Sequence, residues 1–217
     1  MALVKCRYRT DDVGGATRGE YGTSACWCMA FNTRNTMSKA VIVIDLQNDY
    51  FPGGKLPLSG IEPAAANALA VIANARITRV PVLHVRHESA ADAAFFVAGS
   101  RGAQIHDTVG PQDGEVVVVK RHVNAFRETL LAQQLQQHGV TDVVIVGAMS
   151  HMCVDACVRA ASDLGYTVTV LHDACATMDL DFGGTKVPAA HVHATMMAAF
   201  QFGYAAVRST RDYLQAQ

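Results

Sequence analysis

The feature that most limits the fold is a set of short, unbroken apolar runs, each stopped by a residue that a sheet interior rejects. Ala40-Val41-Ile42-Val43-Ile44 stops at Asp45, Val116-Val117-Val118-Val119 at Lys120, and Val143-Val144-Ile145-Val146 at Gly147. Alternating apolar and polar residues would mark a strand with one wet face. Continuous β-branched runs mark strands covered on both faces, as in parallel sheets. Pro81–Val85, Thr167–Leu171 and Tyr204–Val207 read as further strands.

Between these runs the apolar period lengthens to three and four residues, which is helical. Ala64–Ile77 is an Ala-rich helix with Pro63 in its first turn. Phe126–His138 carries Leu130, Leu131 and Leu135 on one face and stops at Gly139. A helix from Cys153 to Gly165 repeats Val154, Cys157, Val158, Ala161 and Leu164, and His191–Phe202 turns Met196, Ala199 and Phe200 inward. Ser209 caps a terminal helical turn. The long segment Ala90–Gln112 reads as a functional loop holding a short helix near Ala91–Val97. Strands alternating with helices predict an α/β doubly wound, mostly parallel sheet of about six strands, with helices on both faces in three layers.

In an open parallel sheet, ligands bind at the carboxyl ends of the strands. Three strands here deliver an acid (Asp45), an amine (Lys120) and, just past Gly147, a thiol (Cys153) to that edge. A helix start favours an anion, so Cys153 has the location of an activated nucleophile. Taken alone, it is equally a small buried hydrophobe, and a single charge at a strand end is merely where solvent begins. Both charges together with the thiol fit a site better than a surface.

Composition narrows the partners. The net charge of −1 provides no basic field, which disfavours nucleic acid and anionic membrane as partners. No apolar run approaches the ~20 residues of a bilayer span. Six cysteines in 217 residues are no disulfide framework, and a reducing cytoplasm fits them best. Cys26-Trp27-Cys28 has the wrong spacing for paired zinc ligands. Residues 1–36 lack any period, and Asp11, Asp12 and Glu20 argue against a targeting peptide. They read as a disordered leader or upstream extension ahead of a domain spanning 37–217. A chain starting at Met37 is therefore expected to fold and to keep its activity.

Around the edge, Leu46 to Gly54 is a Gly/Pro-rich loop in which Gln47, Tyr50 and Phe51 are candidates for a substrate wall, or else for a cover over the sheet edge. Glu88 either binds a substrate amine or is a solvated charge. His84 sits mid-strand, where a hydrogen-bonded core histidine is expected. His87 with Glu88 would need further ligands to hold a metal, and none is identifiable in the sequence. His151 precedes Cys153 by two residues and reads as a structural hydrogen-bonding group. Asp155, Arg159 and Asp163 form an ion-paired helix face. No G-x-G-x-x-G follows the first strand, which sets aside a dinucleotide-binding oxidoreductase.

Ile42-Val43-Ile44-Asp45-Leu46-Gln47-Asn48-Asp49-Tyr50-Phe51, the valine strand closed by Lys120, and Val146-Gly147-Ala148-Met149-Ser150-His151-Met152-Cys153-Val154 together resemble the isochorismatase-like cysteine hydrolases. Members include nicotinamidase, N-carbamoylsarcosine amidohydrolase, ureidoacrylate amidohydrolase, biuret hydrolase and streptothricin hydrolase. The likeness runs from Lys39 to Leu214, and His87-Glu88-Ser89 with Ser150–Cys153 sits closest to the streptothricin hydrolases. It implies a triad of Asp45 as base, Lys120 as supporting cation and Cys153 as nucleophile. It also implies a cis peptide at Ala148–Met149, an oxyanion hole from the amides of Met149 and Cys153, and a dimer or tetramer. Cys153 argues for C–N hydrolysis of a small amide or ureide. The Asp-x-His metal pair of nicotinamidases is missing at His84–Ser89, so no metal and no other cofactor is expected. The competing readings are a metal-dependent nicotinamidase-type amidase and a non-catalytic α/β module that binds a ligand or builds an oligomer; thiol alkylation well below pH ~8.5 would separate the module from a cysteine hydrolase.

Overall fold

The computed structural model describes residues 38–217; the segment read as a leader, 1–36, lies outside the described residues. In chain order the elements are β1 (Ser38–Ile44), α1 (Ile61–Thr78), β2 (Val82–His87), β3 (Val116–Lys120), α2 (Leu131–Gln137), β4 (Val140–Ala148), α3 (Asp155–Asp163), β5 (Thr167–Ala176), β6 (Leu180–Phe182), β7 (Thr185–Val187), α4 (Ala189–Gly203), β8 (Ala206–Arg208) and α5 (Thr210–Gln215). Six strands form one sheet in the order β3-β2-β1-β4-β5-β8, every pair parallel. The expected doubly wound α/β architecture is present.

The chain winds outward from β1 through β2 to β3, then returns to β4 beside β1 and winds the other way. The order reverses between β1 and β4, and at such a switch point the loops part and leave a crevice. Side chains alternate across the sheet. Val41, Val43, Val144 and Val146 join α1 and α5 in one core. Ala40, Ile42, Ile44, Val143 and Ile145 join α2, α3 and α4 in the other. No described helix is long and apolar enough to cross a membrane.

Four local expectations change. Ala91–Val97 forms turns instead of a helix, because the Phe96 amide is drawn to the Asp49 carboxylate at 2.7 Å and Phe96 is left-handed, with φ 57°. The helix expected from Phe126 begins only at Leu131. Glu128 has φ 55°, a left-handed value that interrupts a right-handed helix. Leu130 is consequently 61% exposed while Leu131 and Leu135 are buried. Along β3, Val117 and Val119 are partly exposed, since this edge strand is covered on one face only. The antiparallel hairpin of β6 and β7, turning at Gly183-Gly184, was not anticipated.

Candidate active site

Asp45 follows β1 directly and adopts φ 49°, a conformation that Asp tolerates better than most residues. Its amide donates to the Val85 carbonyl at 3.0 Å, and its own carbonyl accepts from the Gln47 amide at 2.9 Å. Beside it, Ile44 pairs with Gly147 of β4. A Cβ on Gly147 would collide with the Ile44 carbonyl, and Gly147 has φ 130°, so only glycine lets β1 and β4 close here.

Beyond Gly147 the Ala148–Met149 peptide is cis, as the resemblance implies. A π-helical turn, Ser150–Val154, then leads into α3. The Met149 carbonyl accepts from the amides of Met152 (3.0 Å) and Val154 (3.2 Å). Cys153 therefore sits on a tight turn at the carboxyl edge, 6% exposed.

Lys120 ends β3, and its side chain extends from there to Asp45 at the end of β1. Its ammonium lies 2.8 Å from Asp45 Oδ2 and donates to Cys153 Sγ at 3.2 Å, His87 Nδ1 at 2.9 Å and the His122 carbonyl at 3.2 Å. The approach to Asp45 is close in distance but lies off the hydrogen-bond line, so it is a charge pair. Asp45 and Lys120 are both buried. Burial opposes the lysine's charge, but Asp45 and Cys153 together outweigh it and hold its pKa above the ordinary value.

The thiol behaves differently from the expectation at a helix start. Burial first, and then the Asp45 charge, push its pKa upward; Lys120 works the other way without winning. The resting site is a carboxylate, an ammonium and a protonated thiol in mutual contact through Lys120. Such a group can pass a proton from sulfur to carboxylate when an electrophile arrives.

The remaining candidates divide. The Gln47 carboxamide donates to the carbonyls of His87 and Ala103, both at 2.8 Å, and accepts from the His87 amide at 2.8 Å. In the structure it is a buried strut that fixes the backbone of His87. Tyr50 is buried against Phe96, with ring centroids 4.5 Å apart, and Phe51 stacks on His106 at 3.6 Å. Both belong to the cover over the sheet edge. Tyr50 is still close enough for Asp45 and Cys153 to add to the upward push that burial gives its phenol. Glu88 pairs with Arg86 at 2.7 Å and lines a cleft of about 570 Å³ with His87, Ser89, Ala90 and Arg121.

His84 donates to the Glu115 carboxylate at 3.1 Å, the core role expected of it. His151 hydrogen-bonds Thr177 at 2.6 Å, again structural. Arg159 pairs with Asp155 at 2.7 Å. The residue that sequence reasoning underrated is His87. Its partners are Lys120, Asp45 and Cys153, which no spacing in the chain reveals. Asp45, His87 and Cys153 place donor atoms within 4.8 Å of one another, a set that could suit a metal. The Lys120 ammonium, however, touches all three, so a cation entering here would have to displace a buried positive charge. The residues fit an ammonium better than a metal ion.

A three-layer α/β domain with these groups at its switch point has the form of a hydrolase. The chain matches the isochorismatase domain over residues 39–210 and belongs to the isochorismatase family of hydrolases. It is 45% identical over 180 residues to the isochorismatase family protein YddQ of Bacillus subtilis, covering 82% of this chain and 100% of that one. The crystal structure of an isochorismatase hydrolase from Oleispira antarctica superposes with a TM-score of 0.81 at 50% identity, covering 84% of this chain and 98% of that one. Streptothricin hydrolase of Streptomyces noursei is 34% identical over 146 residues, which are 65% of this chain and 51% of that protein.

Proposed function

We propose that this protein is a cysteine-dependent hydrolase of a C–N bond in a small amide, ureide or lactam. The observation that carries the reading is the buried Lys120 ammonium in contact with both the Asp45 carboxylate, at 2.8 Å, and the Cys153 sulfur, at 3.2 Å. Asp45 takes the thiol proton as Sγ attacks the carbonyl carbon, and Lys120 balances the charge that moves from oxygen to sulfur. The amides of Met149 and Cys153 receive the developing oxyanion; one such donor is worth about 2.7–4 kcal/mol in a comparable case. Asp45 then hands its proton to the nitrogen, the C–N bond breaks, and an amine leaves behind a thioester. Water, deprotonated by Asp45, cleaves the thioester, and that proton returns to sulfur.

The similarity to a streptothricin hydrolase supports a small-molecule substrate. The cysteines among the described residues, Cys153, Cys157 and Cys175, are all free, as a reducing cytoplasm would keep them. A homodimer or homotetramer would let a second subunit finish the mouth of the cleft. Ammonia release screened over primary amides and ureides, together with mass spectrometry of lactams for the gain of a water on ring opening, should identify a substrate. Cys153→Ala should then abolish turnover while the circular dichroism spectrum stays unchanged, and rapid quenching of the unsubstituted enzyme should show an acyl adduct on Cys153. Turnover by Cys153→Ala would end the proposal.

A further inference from the structure

We infer that His87 is a positioning residue of this site: as a neutral imidazole it holds the Lys120 ammonium between Asp45 and Cys153. The inference rests on the hydrolase reading and adds to it a fourth side chain. An ammonium has three protons and can only donate; two protons of Lys120 go to Cys153 and the His122 carbonyl, while Asp45 is held by charge alone, which leaves the third for His87. Its 2.9 Å contact with His87 Nδ1 is therefore a donation to that nitrogen. The imidazole proton must then sit on Nε2, on a ring that lines the cleft with Glu88 and Arg121.

The backbone of His87 is built to keep the ring there. Gln47, itself buried, clamps the residue from both sides, accepting from its amide and donating to its carbonyl, each at 2.8 Å. β2 and β3 also pair His87 directly with Lys120.

The charged and titratable groups facing the ring come from every neighbouring element. Lys120 and His122 come from β3 and the segment after it, Asp45 from the end of β1, and Cys153 from the turn after β4. Glu88 and Arg121 stand on the cleft side. Burial and Lys120 disfavour a second positive charge on the ring, Asp45 favours it, and the balance keeps His87 neutral at pH 7. Protonation of Nδ1 removes the acceptor and sets two cations side by side, so the contact with Lys120 breaks as pH falls.

Iodoacetamide, itself a small carboxamide, tests this without knowledge of the substrate. The rate at which it alkylates Cys153, read by peptide mapping, reports how well Asp45 and Lys120 relieve the thiol of its proton. His87→Leu removes the acceptor and should slow alkylation on the order of tenfold to a hundredfold at neutral pH. His87→Asn keeps an oxygen near the Nδ1 position and should restore most of the rate, but it cannot titrate. The ratio of the unsubstituted rate to the His87→Asn rate should therefore be flat above about pH 7 and fall below the ordinary histidine pKa of about 6.5. Full reactivity in His87→Leu, or a ratio that stays constant through the acid range, would overturn the inference. Thermal melts of both variants separate a rate effect from a folding defect. Because alkylation needs no turnover, failure of the hydrolase reading would show separately, as an absence of hydrolysis across the amides, ureides and lactams with the His87 dependence intact.

Discussion

At Cys153 a sulfur 3.2 Å from an ammonium still keeps its proton, because burial and the neighbouring carboxylate both favour the neutral thiol. Reactivity is thus held back until a substrate carbonyl accepts the electron pair. The same geometry makes Lys120 a stability determinant. Lys120→Met would leave Asp45 as a buried carboxylate without its counter-charge, which typically costs about 3–5 kcal/mol. Urea denaturation should show that loss, and pairing the change with Asp45→Asn should recover most of the stability but none of the turnover. Recovery of turnover in the double variant would show that the pair serves folding alone.

Elements set the spacing that these side chains need. Gly147 lets β4 lie against the Ile44 carbonyl, and Gly147→Ala should lower stability by about 2 kcal/mol or more through backbone strain and collision. A second device joins α1, β2 and the approach to β3. Glu115 accepts from Arg76 at 2.8 Å, from His84 at 3.1 Å and from the Gln112 amide at 2.8 Å. Burial raises the Glu115 pKa, but these bonds outweigh it and hold the value at about 2, against an ordinary 4.5. A depressed carboxylate contributes stability that is complete above its unfolded pKa and lost as pH falls toward the folded one. The contribution should therefore fade between about pH 4.5 and pH 2. Glu115→Gln should be less stable than the parent at pH 7, with the gap closing across that acid window in urea midpoints measured at each pH.

For the whole molecule, the sheet has a core on each face, and β1 and β4 contribute side chains to both. Neither core can be lost without opening the central strands, so the described residues should unfold in a single transition. Ile72→Ala on one face and Phe200→Ala on the other should cost about 2–5 and 3–5 kcal/mol. Each should move far-UV circular dichroism and the exposure of the Cys157 and Cys175 thiols together. Separate midpoints for the two signals would show that the faces unfold independently.

The strand ends were legible in the chain itself, because β-branched runs stopped by Asp45, Lys120 and Gly147 have few other uses, and with them came the edge on which acid, amine and thiol stand. The resemblance supplied the roles. Tertiary structure alone decided that Lys120 extends to Asp45, that Gln47 braces the backbone of His87, and that Tyr50 and Phe51 are buried against Phe96 and His106. It also set the direction of the Cys153 pKa, which a helix start lowers but burial beside a carboxylate raises. Periodicity records which face of one element is apolar. Contacts between residues 33 to 108 positions apart, such as Lys120 with Cys153 or Asp45 with Cys153, depend on how strands are ordered across the sheet, and no local pattern encodes that order.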